Sequence, residues 1–335
     1  MDLIRWGILG AGGIAATVCS DIAATPGNTL TAVGARDGDR AAAFAAEHCV
    51  ARSYGSYAEL VADADVDVIY VATTHAQHHE HALLALRAGK AVLVEKAFTL
   101  NAAHAREVVA EARARQLFCM EAMWTRLDPL IRQAVEIAHS GRIGEVLGIR
   151  ADLSRHFDYD PRHRLFDLAA GGGALLDLGV YPVNVAWLFL GHPDTVAATG
   201  SLAPTGSDLT AALQWGYRNG QVAQIYASAA GTSPLAGLVT GTHGWISVEP
   251  RIHRARRLVV RDRDGADQVI EREPDPGNGY RREIAEVARC IRAGELESPL
   301  VPLDETVAIL EVLDEARHQL GVTYPADRPT QRQEA

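Results

Sequence analysis

The chain has 335 residues, of which 48% are hydrophobic and 22% charged, and its formal net charge is -10 at pH 7. This length predicts two domains, and the acidic balance disfavours a nucleic-acid binder, which would present a basic face. No apolar run reaches the roughly 18 residues of a membrane span, and glycines break the N-terminal stretch Trp6–Ile14, unlike a signal peptide. Cys19, Cys49, Cys119 and Cys290 form no C-x-x-C pair, so we expect reduced thiols and a cytoplasmic location.

In the first third of the chain, short apolar runs alternate with alanine-rich helical stretches, which predicts βαβ units and a parallel sheet. The strand candidates are uniformly apolar, as buried parallel strands are. They are Ile4–Leu9, Leu30–Ala35, Val68–Ala72, Val92–Val94 and Phe118–Glu121. The helix candidates between them are Arg40–His48, Tyr57–Val61, His79–Ala88 and Ala102–Arg115.

A glycine-rich turn follows the first strand candidate. The residues Gly10, Gly12 and Ala15 fit the pattern G-x-G-x-x-G/A between a strand and a helix. Gly10 allows the tight turn, Gly12 lets the backbone approach a pyrophosphate, and Ala15 permits close helix–strand packing. The helix that begins near Gly13 and Ile14 points its N-terminus at the phosphates, so the turn predicts a dinucleotide site.

The end of the second strand distinguishes NAD from NADP. NAD enzymes usually place Asp or Glu there for the ribose 2′-hydroxyl, whereas this strand ends Ala35-Arg36-Asp37, with Arg40 one turn later. Arg36 can pair with a 2′-phosphate and Arg40 adds a second charge, so we predict NADP. In the alternative, both arginines are solvated and Asp37 binds the ribose, which leaves NAD possible.

From Val146 onward, several runs alternate polar with apolar residues and are separated by short turns, which predicts an antiparallel sheet with one free face. These runs are Gly148–Ser154, Thr195–Ser201, Leu209–Trp215, Gln221–Ser228, Gly244–Val248 and Arg257–Arg261. Ala174–Leu190 and Asp304–Leu320 predict helices. A free sheet face needs a partner or a cover, so we expect a homodimer or tetramer.

The fold class is therefore an α/β Rossmann domain with a parallel sheet, followed by an α+β domain with a largely antiparallel, open-faced sheet. We place the Rossmann domain at residues 1–123 and the substrate and oligomerisation domain at residues 124–324. The helix at residues 304–320 can pack back on the Rossmann domain, and residues 325–335 form a loose polar tail.

Several segments spread over nearly the whole chain carry a resemblance to a known family. They are Arg5–Ile8, Ala35–Asp37, Tyr54–Tyr57, Gly89–Leu93, Glu95-Lys96, Met120–Arg126, Gly171–Tyr181 and Ser298-Pro299. Together they resemble the glucose–fructose oxidoreductase / inositol dehydrogenase (GFO/IDH/MocA) superfamily, and within it the branch of dimeric dihydrodiol dehydrogenases and NADP-dependent D-xylose dehydrogenases. The resemblance implies an NADP-dependent oxidoreductase whose substrate is a carbohydrate or a diol.

By position, the resemblance assigns three catalytic residues. Lys96 matches the catalytic lysine of the family, and Asp177 with Tyr181 matches its Asp-x-x-x-His/Tyr pair, here in the tyrosine form. One residue departs from the family pattern, because Ala97 stands where the family usually has a proline. That proline often takes a cis bond beside the cofactor, which alanine rarely does.

The resemblance also implies a cofactor set. The segment with Thr73, His75 and His78 approaches the nicotinamide side, and the segment with Trp124 and Arg126 borders the active site. Joined to the glycine turn and the two arginines, the expected cofactor residues are Gly10, Gly12, Gly13, Ile14, Arg36, Arg40, Thr73, His75, His78, Glu95, Lys96, Trp124 and Arg126.

The residue types suit hydride transfer. Asp177 and Tyr181 are four apart on one predicted helix and share a face, and Pro182 should kink that helix near Gly179. A free tyrosine has a pKa of about 10, too high for a base at neutral pH. A neighbouring Lys96 ammonium would lower the pKa of Tyr181 and favour its phenolate. In the reductive direction the same hydroxyl donates the proton.

The histidine group at 75–81 invites a zinc hypothesis, but no Cys or Glu at metal spacing completes a tetrahedral site, so we expect no metal. His78 is expected to cap or pack near the cofactor, and His79 and His81 to face solvent. Hydride chemistry also needs no metal, because the nicotinamide carries it.

The substrate residues are expected on the second domain. The segment Arg155–Arg164 is either a substrate loop or a charged surface connection, and Trp245 and Tyr280 lie either in the core or in the pocket. The expected substrate set is Trp124, Arg155, Phe157, Tyr181 and Trp245. Aromatic residues that line a pocket suit a sugar ring or an aromatic diol, and the sequence does not choose between them.

Two other functions stay open. The same residues could run a keto-sugar reduction in a biosynthetic pathway, since they serve both directions. The resembled superfamily also includes a transcriptional repressor that keeps the fold without turnover, although retention of both Lys96 and Tyr181 argues against such a regulator.

Overall fold

The computed structural model describes residues 3–273, 275 and 277–327. Within them, the N-terminal part forms a six-stranded parallel sheet with helices on its faces. The strands are β1 Ile4–Leu9, β2 Asn28–Gly34, β3 Arg52–Tyr54, β4 Val68–Val71, β5 Ala91–Glu95 and β6 Cys119–Ala122. The helices are α1 Gly13–Ala23, α2 Gly38–His48, α3 Tyr57–Ala62, α4 His75–Arg87 and α5 Ala102–Arg115.

The order of the parallel strands is β3-β2-β1-β4-β5-β6, so the direction of winding changes between β1 and β4. Ligands in such sheets bind beyond the carboxyl ends of the strands at this switch point. Every residue of β4 and β5 is buried, because helices cover both faces of the sheet. The parallel sheet predicted from the apolar runs is confirmed.

The second part of the chain forms a mixed sheet that packs on helices. Its helices are α6 Pro129–His139, α7 Val180–Leu190, α8 Arg281–Ala293 and α9 Leu303–Leu320, with a π-helical turn, Leu175–Gly179, leading into α7. Its strands are β7 Val146–Ser154, β8 Thr195–Leu202, β9 Asp208–Gly216, β10 Val222–Ser228, β11 Gly237–Gly241, β12 Trp245–Glu249, β13 Arg257–Arg261 and β14 Asp267–Glu271.

Among the described residues this sheet has eight strands in the order β14-β13-β12-β11-β7-β10-β9-β8, and all neighbours are antiparallel except β7 and β10. The inward side chains of β9 and β10, such as Trp215 and Ile225, are buried, whereas Gln224 and Tyr226 on the other face are exposed. The largely antiparallel, open-faced sheet expected from the sequence is therefore present.

The stretch Leu168–Leu190 contains the π-helical turn and α7 and, by length and composition alone, could cross a membrane. In the folded chain 83% of its most apolar window is buried. It packs against strands β7 and β10, so it serves as the core helix of the second domain.

The C-terminal helix α9 touches both parts of the chain. Asp314 accepts a hydrogen bond from the amide of Ala102 at the start of α5, at 2.8 Å, and Gln319 donates to the carbonyl of Val196 on β8, at 2.9 Å. Beyond α9, Pro325–Asp327 form a 3-10 helix whose last residue pairs with Arg317. These three residues are thus ordered, contrary to the expected loose tail; residues 328–335 lie outside the described part.

Candidate active site

A cleft of about 780 Å³ lies beyond the carboxyl ends of β1, β2, β4 and β5, where the second domain meets the Rossmann domain. Its volume is in the usual range for a small-molecule or cofactor site. Of the residues expected from the sequence, those that line it are Gly10, Gly12, Gly13, Ile14, Arg36, Arg40, Thr73, His75, His78, Glu95, Lys96, Arg155, Phe157, Asp177 and Tyr181.

The glycine turn has the shape that a dinucleotide requires. Gly10 has a φ of +109°, and a Cβ there would lie 3.0 Å from the carbonyl oxygen of Ala72. Gly12 is the N-cap of α1, and a Cβ on it would meet nothing within 4 Å, since it faces the open cleft. The first amides of α1 therefore point at empty space that a pyrophosphate can fill, with the helix dipole favouring the negative charge. These residues fit a dinucleotide cofactor.

The end of β2 presents arginine to the same cleft. Arg36 is exposed and lines it, while Arg40 donates to the carbonyl oxygen of Ala11 at 2.7 and 3.2 Å. The carboxylate of Asp37 accepts the amide of Arg40 at 2.9 Å and so caps α2. Asp37 thus has a structural partner, and the side chain of Arg36 has the room to meet a phosphate.

An ion cluster around the buried carboxylate of Asp177 joins the two domains in the cleft, with Arg164 on its exposed side. Lys96 directly follows β5, and its Nζ donates to the carbonyl of Asp177 at 2.9 Å and to its Oδ1 at 3.2 Å. Arg164 donates to both carboxylate oxygens of Asp177, at 3.0 and 3.2 Å. Burial raises the pKa of the Asp177 carboxyl, but the two cations outweigh it and hold that pKa well below its usual range. Burial is the largest single effect on Lys96 and lowers its pKa, but Asp177, Tyr181 and Glu95 together outweigh burial, so the net direction of this pKa is upward.

Tyr181 lies one turn beyond Asp177, and the Nζ of Lys96 is 5.0 Å from the centroid of its ring. The indole Nε1 of Trp124 donates to its hydroxyl at 3.3 Å. Burial raises the pKa of Tyr181, and Lys96 lowers it by less, so the net direction is upward. The expected effect of Lys96 has the right sign, but the expected net decrease in this pKa is wrong because desolvation is the larger effect.

Two residues outside the expected set, Tyr280 and His253, contact the aromatic pair Trp124 and Tyr181. The rings of Trp124 and Tyr280 are 4.9 Å apart, and the ring of His253 is 5.3 Å from that of Tyr181. Tyr280 lines the cleft, which decides in favour of the pocket over the core. His253 is half-buried, and burial lowers its pKa to about 4. It lies in an irregular segment between β12 and β13, where no periodic pattern marks it.

Three of the four histidines in the region 75–81 are buried, and only His79 is partly exposed. Helix α4 begins at His75 rather than at the predicted His79, so His75 and His78 lie in its first turns. There His75 contacts Gly171 of the second domain, and His78 contacts Thr73 and Ala97 of the Rossmann domain. His81 accepts or donates a hydrogen bond with Thr73 Oγ1 at 3.0 Å, and its expected exposure is wrong. Among the described residues, no group of three or more His, Cys, Asp or Glu could hold a metal.

Three expected site residues lie outside the cleft lining. Arg126 is buried, donates to the carbonyl of Leu300 at 3.1 Å and pairs with Glu305, so it ties α9 to the rest of the chain and does not line the cleft. Trp245 lies on β12 of the sheet, with the Arg261 guanidinium 5.3 Å from its ring centroid. We withdraw both from the expected set. Trp124 stays beside the cleft through its contact with Tyr181.

The turn after β5 differs from the expectation at one bond. The peptide between Lys96 and Ala97 is cis, although alanine replaces the proline of the family pattern. Ala97 is completely buried. Around the turn, the amide of Phe98 donates to Glu121 Oε1 at 3.2 Å.

A parallel sheet with a glycine turn at its switch point, and a lysine–aspartate–tyrosine set facing that turn, define a nicotinamide-nucleotide oxidoreductase. Comparison with known proteins agrees. The oxidoreductase family with an NAD-binding Rossmann fold matches residues 4–123, and the GFO/IDH/MocA C-terminal domain matches residues 131–247. The chain belongs to the GFO/IDH/MocA family of oxidoreductases, as the sequence segments predicted.

Relatives match over nearly the full length. The trans-1,2-dihydrobenzene-1,2-diol dehydrogenase of Bos taurus is 36% identical over an alignment of 337 positions, gaps included, that covers 97% of this chain and 99% of the relative. The D-xylose 1-dehydrogenase (NADP(+)) of Hypocrea jecorina is 36% identical over an alignment of 365 positions, gaps included, that covers 96% of this chain and 93% of the relative.

Solved structures share the fold. A 3-ketoreductase from Actinomadura kijaniata in complex with NADP and TDP-benzene has a TM-score of 0.83 at 26% identity and covers 95% of this chain and 98% of its own. An aldose-aldose oxidoreductase from Caulobacter crescentus has a TM-score of 0.86 at 21% identity, with 95% and 97% covered, which shows the fold alone.

The buried carboxyl of Glu121 generates a prediction about stability and pH. Burial raises its pKa to about 7, against 4.5 for the free side chain. The folded protein holds the proton of the Glu121 carboxyl more tightly than the unfolded chain does. The contribution of this proton to the free energy of unfolding is therefore fully present below pH 4.5 and is lost as the pH rises through 7. Relative to Glu121→Gln, which does not titrate, the free energy of unfolding of the parent should fall by up to about 3 kcal/mol over this range.

Urea denaturation of both proteins at several pH values measures this difference. Glu47→Gln, at an exposed site on α2, reports the effect of losing a surface charge. Parallel stability profiles for the parent and Glu121→Gln would show that Glu121 is ionised in the folded protein at neutral pH.

Proposed function

We propose that this protein is an NADP(H)-dependent oxidoreductase that transfers hydride between the nicotinamide and a hydroxyl or carbonyl group of a sugar or a cyclic diol. The observation that carries the proposal is the position of Tyr181 beside the Lys96–Asp177 ion pair, in the cleft that also holds the glycine turn. The relatives named as dihydrodiol and NADP-dependent D-xylose dehydrogenases support the substrate class and the cofactor.

The chain supplies binding, orientation and one proton. When bound, NADP(H) gives or takes the hydride. Tyr181 keeps its proton at neutral pH, because burial raises its pKa, and can donate it to a carbonyl oxygen during reduction. For oxidation, Tyr181 first loses its proton to solvent, the Lys96 ammonium stabilises the resulting phenolate through its charge, and the phenolate oxygen then accepts the hydroxyl proton of the substrate. Asp177 and Arg164 fix the position of that ammonium.

The substrate side of the cleft has an aromatic and cationic wall. Phe157 and Tyr280 line it, and the guanidinium of Arg155 lies 5.3 Å from the centroid of the Phe157 ring. Aromatic faces pack against the C–H face of a sugar or against a cyclic diol, and the arginine can donate to hydroxyl groups. We therefore keep Arg155 and Phe157 as substrate residues and add Tyr280.

Arg36→Ala tests the cofactor. Loss of a charge-assisted contact to a 2′-phosphate should raise the KM for NADP⁺ by roughly 10- to 100-fold, and the KM for NAD⁺ far less. Arg87→Ala, which removes an exposed arginine from the far end of α4, should leave the ratio of the two KM values unchanged. Equal increases for NADP⁺ and NAD⁺ with Arg36→Ala would mean that Arg36 does not recognise the phosphate.

Tyr181→Phe tests the proton transfer. It removes only the hydroxyl, so kcat should fall by about 10²- to 10⁴-fold while binding of NADP⁺, followed by fluorescence, is retained. Steady-state kinetics with a panel of sugars and diols in both directions is the measurement. Tyr217→Phe, whose hydroxyl donates to the carbonyl of Gly191 away from the cleft, is the matched control. A kcat for Tyr181→Phe close to the parent value at all pH values would exclude Tyr181 from this role.

We further propose that two copies of the chain associate through the open sheet face. Val222 and Tyr226 on this face are 44% and 42% exposed. Tyr226 stands among small or apolar residues, such as Ala197, Ala212 and Leu238, and the polar residues Arg150, Asp152 and Gln224. Large exposed surfaces that include apolar side chains often mark protein–protein interfaces. A second copy presents the same flat surface, so the face can cover itself around a two-fold axis.

Light scattering at micromolar concentration should give a mass near twice that of the 35.9 kDa chain. Tyr226→Arg places a charge in the centre of the face and should shift the mass to that of one chain. The control is Tyr159→Arg, at a tyrosine that is 46% exposed but lies in the loop after β7. A monomeric parent protein, or a dimer that survives Tyr226→Arg, would count against this interface.

A further inference from the structure

Two buried histidines hold the backbone from which the side chain of Lys96 extends. Beyond Glu95 the strand ladder ends, and the carbonyl groups of the next two residues face imidazole rings. His75 Nε2 lies 3.2 Å from the carbonyl oxygen of Lys96, and His78 Nδ1 lies 2.9 Å from that of Ala97. Both rings thus contact the turn that aims the ammonium at the cleft.

The second nitrogen of each ring also faces a carbonyl oxygen. His75 Nδ1 is 3.0 Å from the oxygen of Gly171 in the second domain, and His78 Nε2 is 3.1 Å from that of Thr73. Carbonyl oxygens only accept, so both contacts of one ring could be hydrogen bonds only if the ring were a cation.

The rings are neutral at physiological pH. Burial lowers the pKa of His75 to about 4 and that of His78 to about 3, with Lys96 and the neighbouring histidine lowering them further. Each ring therefore carries one proton and donates from one nitrogen. The position of that proton decides which carbonyl group the side chain holds.

For both histidines, the surroundings favour a proton on the ring nitrogen that faces the turn of Lys96 and Ala97, here called the lysine turn. His75 Nδ1 makes the shorter contact, 3.0 Å to Gly171, but Nε2 faces two acceptors, the Lys96 carbonyl at 3.2 Å and the ionised carboxylate of Asp177 at 4.0 Å. The added negative charge of Asp177 favours a proton on Nε2. For His78, the contact of Nδ1 with Ala97 is the shorter of its two.

We propose that His75 and His78 are positioning residues for Lys96, with His75 protonated on Nε2 and His78 on Nδ1. Each donates to one of two consecutive carbonyl groups and so fixes the direction in which the lysine side chain leaves β5. The proposal rests on the role of Lys96 in the proposed function. A displacement of about 1 Å in a catalytic group can cost roughly 10²-fold in rate, so these two bonds should matter.

Asparagine and glutamine substitutions separate the two nitrogens, because the asparagine amide reaches the place of Nδ1 and the glutamine amide that of Nε2. His75→Gln and His78→Asn retain the bonds to the lysine turn, whereas His75→Asn and His78→Gln lose them. At each position, the kcat of the variant that loses the bond should be roughly 10- to 100-fold below that of the variant that retains it, with a similar KM for NADP⁺ within each pair. The reverse order, or equal losses within each pair, would overturn the proposal.

The tautomers can also be determined by NMR spectroscopy, without measuring enzyme activity. Proton–nitrogen correlation spectra of the histidine-labelled parent protein show which ring nitrogen carries the proton. The signals of His75 and His78 among the 13 histidines are identified by their absence in His75→Gln and His78→Asn. Protons on His75 Nε2 and His78 Nδ1 support the proposal, and either proton on the other nitrogen overturns it. If no sugar or diol is turned over, the proposed function fails while this spectrum still decides the tautomers.

Discussion

The carboxylate of Asp177 is the constraint on which the site depends. It is 5% exposed, and a buried charge is tolerated only when it is paired and hydrogen-bonded. Its partners come from two directions, since Lys96 follows a Rossmann strand and Arg164 lies on the segment before the core helix of the second domain. Closing the domains is therefore what satisfies this charge, and the same closure places the ammonium next to Tyr181.

The electrostatics of the cleft follow from burial as much as from pairing. Desolvation raises the pKa of Tyr181 and lowers the pKa of His75, while Lys96 keeps its proton because Asp177 faces it. The site thus holds a neutral tyrosine beside a permanent cation, which is suited to giving up a proton when an oxygen gains charge nearby. A hydrogen bond from Trp124 further stabilises the phenolate that remains.

Much of the site could be predicted from the sequence, because glycine turns and strand ends are local features. Lys96 follows an apolar run, and Asp177 and Tyr181 are spaced one helical turn apart. These local patterns, together with the family resemblance, were enough to predict all three residues. Arg126 shows the limit of such reasoning. Arg126 lies in the segment that the resemblance places beside the active site, yet its guanidinium contacts Leu300 and Glu305 instead. The direction of a side chain depends on what packs against it, and the sequence does not state this.

The sequence by itself determined the alternation of strands and helices, the glycine turn and the open-faced sheet, because backbone propensity and hydrophobic period act over a few residues. The tertiary structure decided that α4 begins at His75. The first turn of this helix is polar and shows no apolar period in the sequence, but His75 is buried there against Gly171 of the second domain. It also brought Tyr280 to Trp124 and His253 to Tyr181 across long stretches of chain. Burial and pairing of charges depend on residues far apart in sequence, and for that reason only the folded chain fixes them.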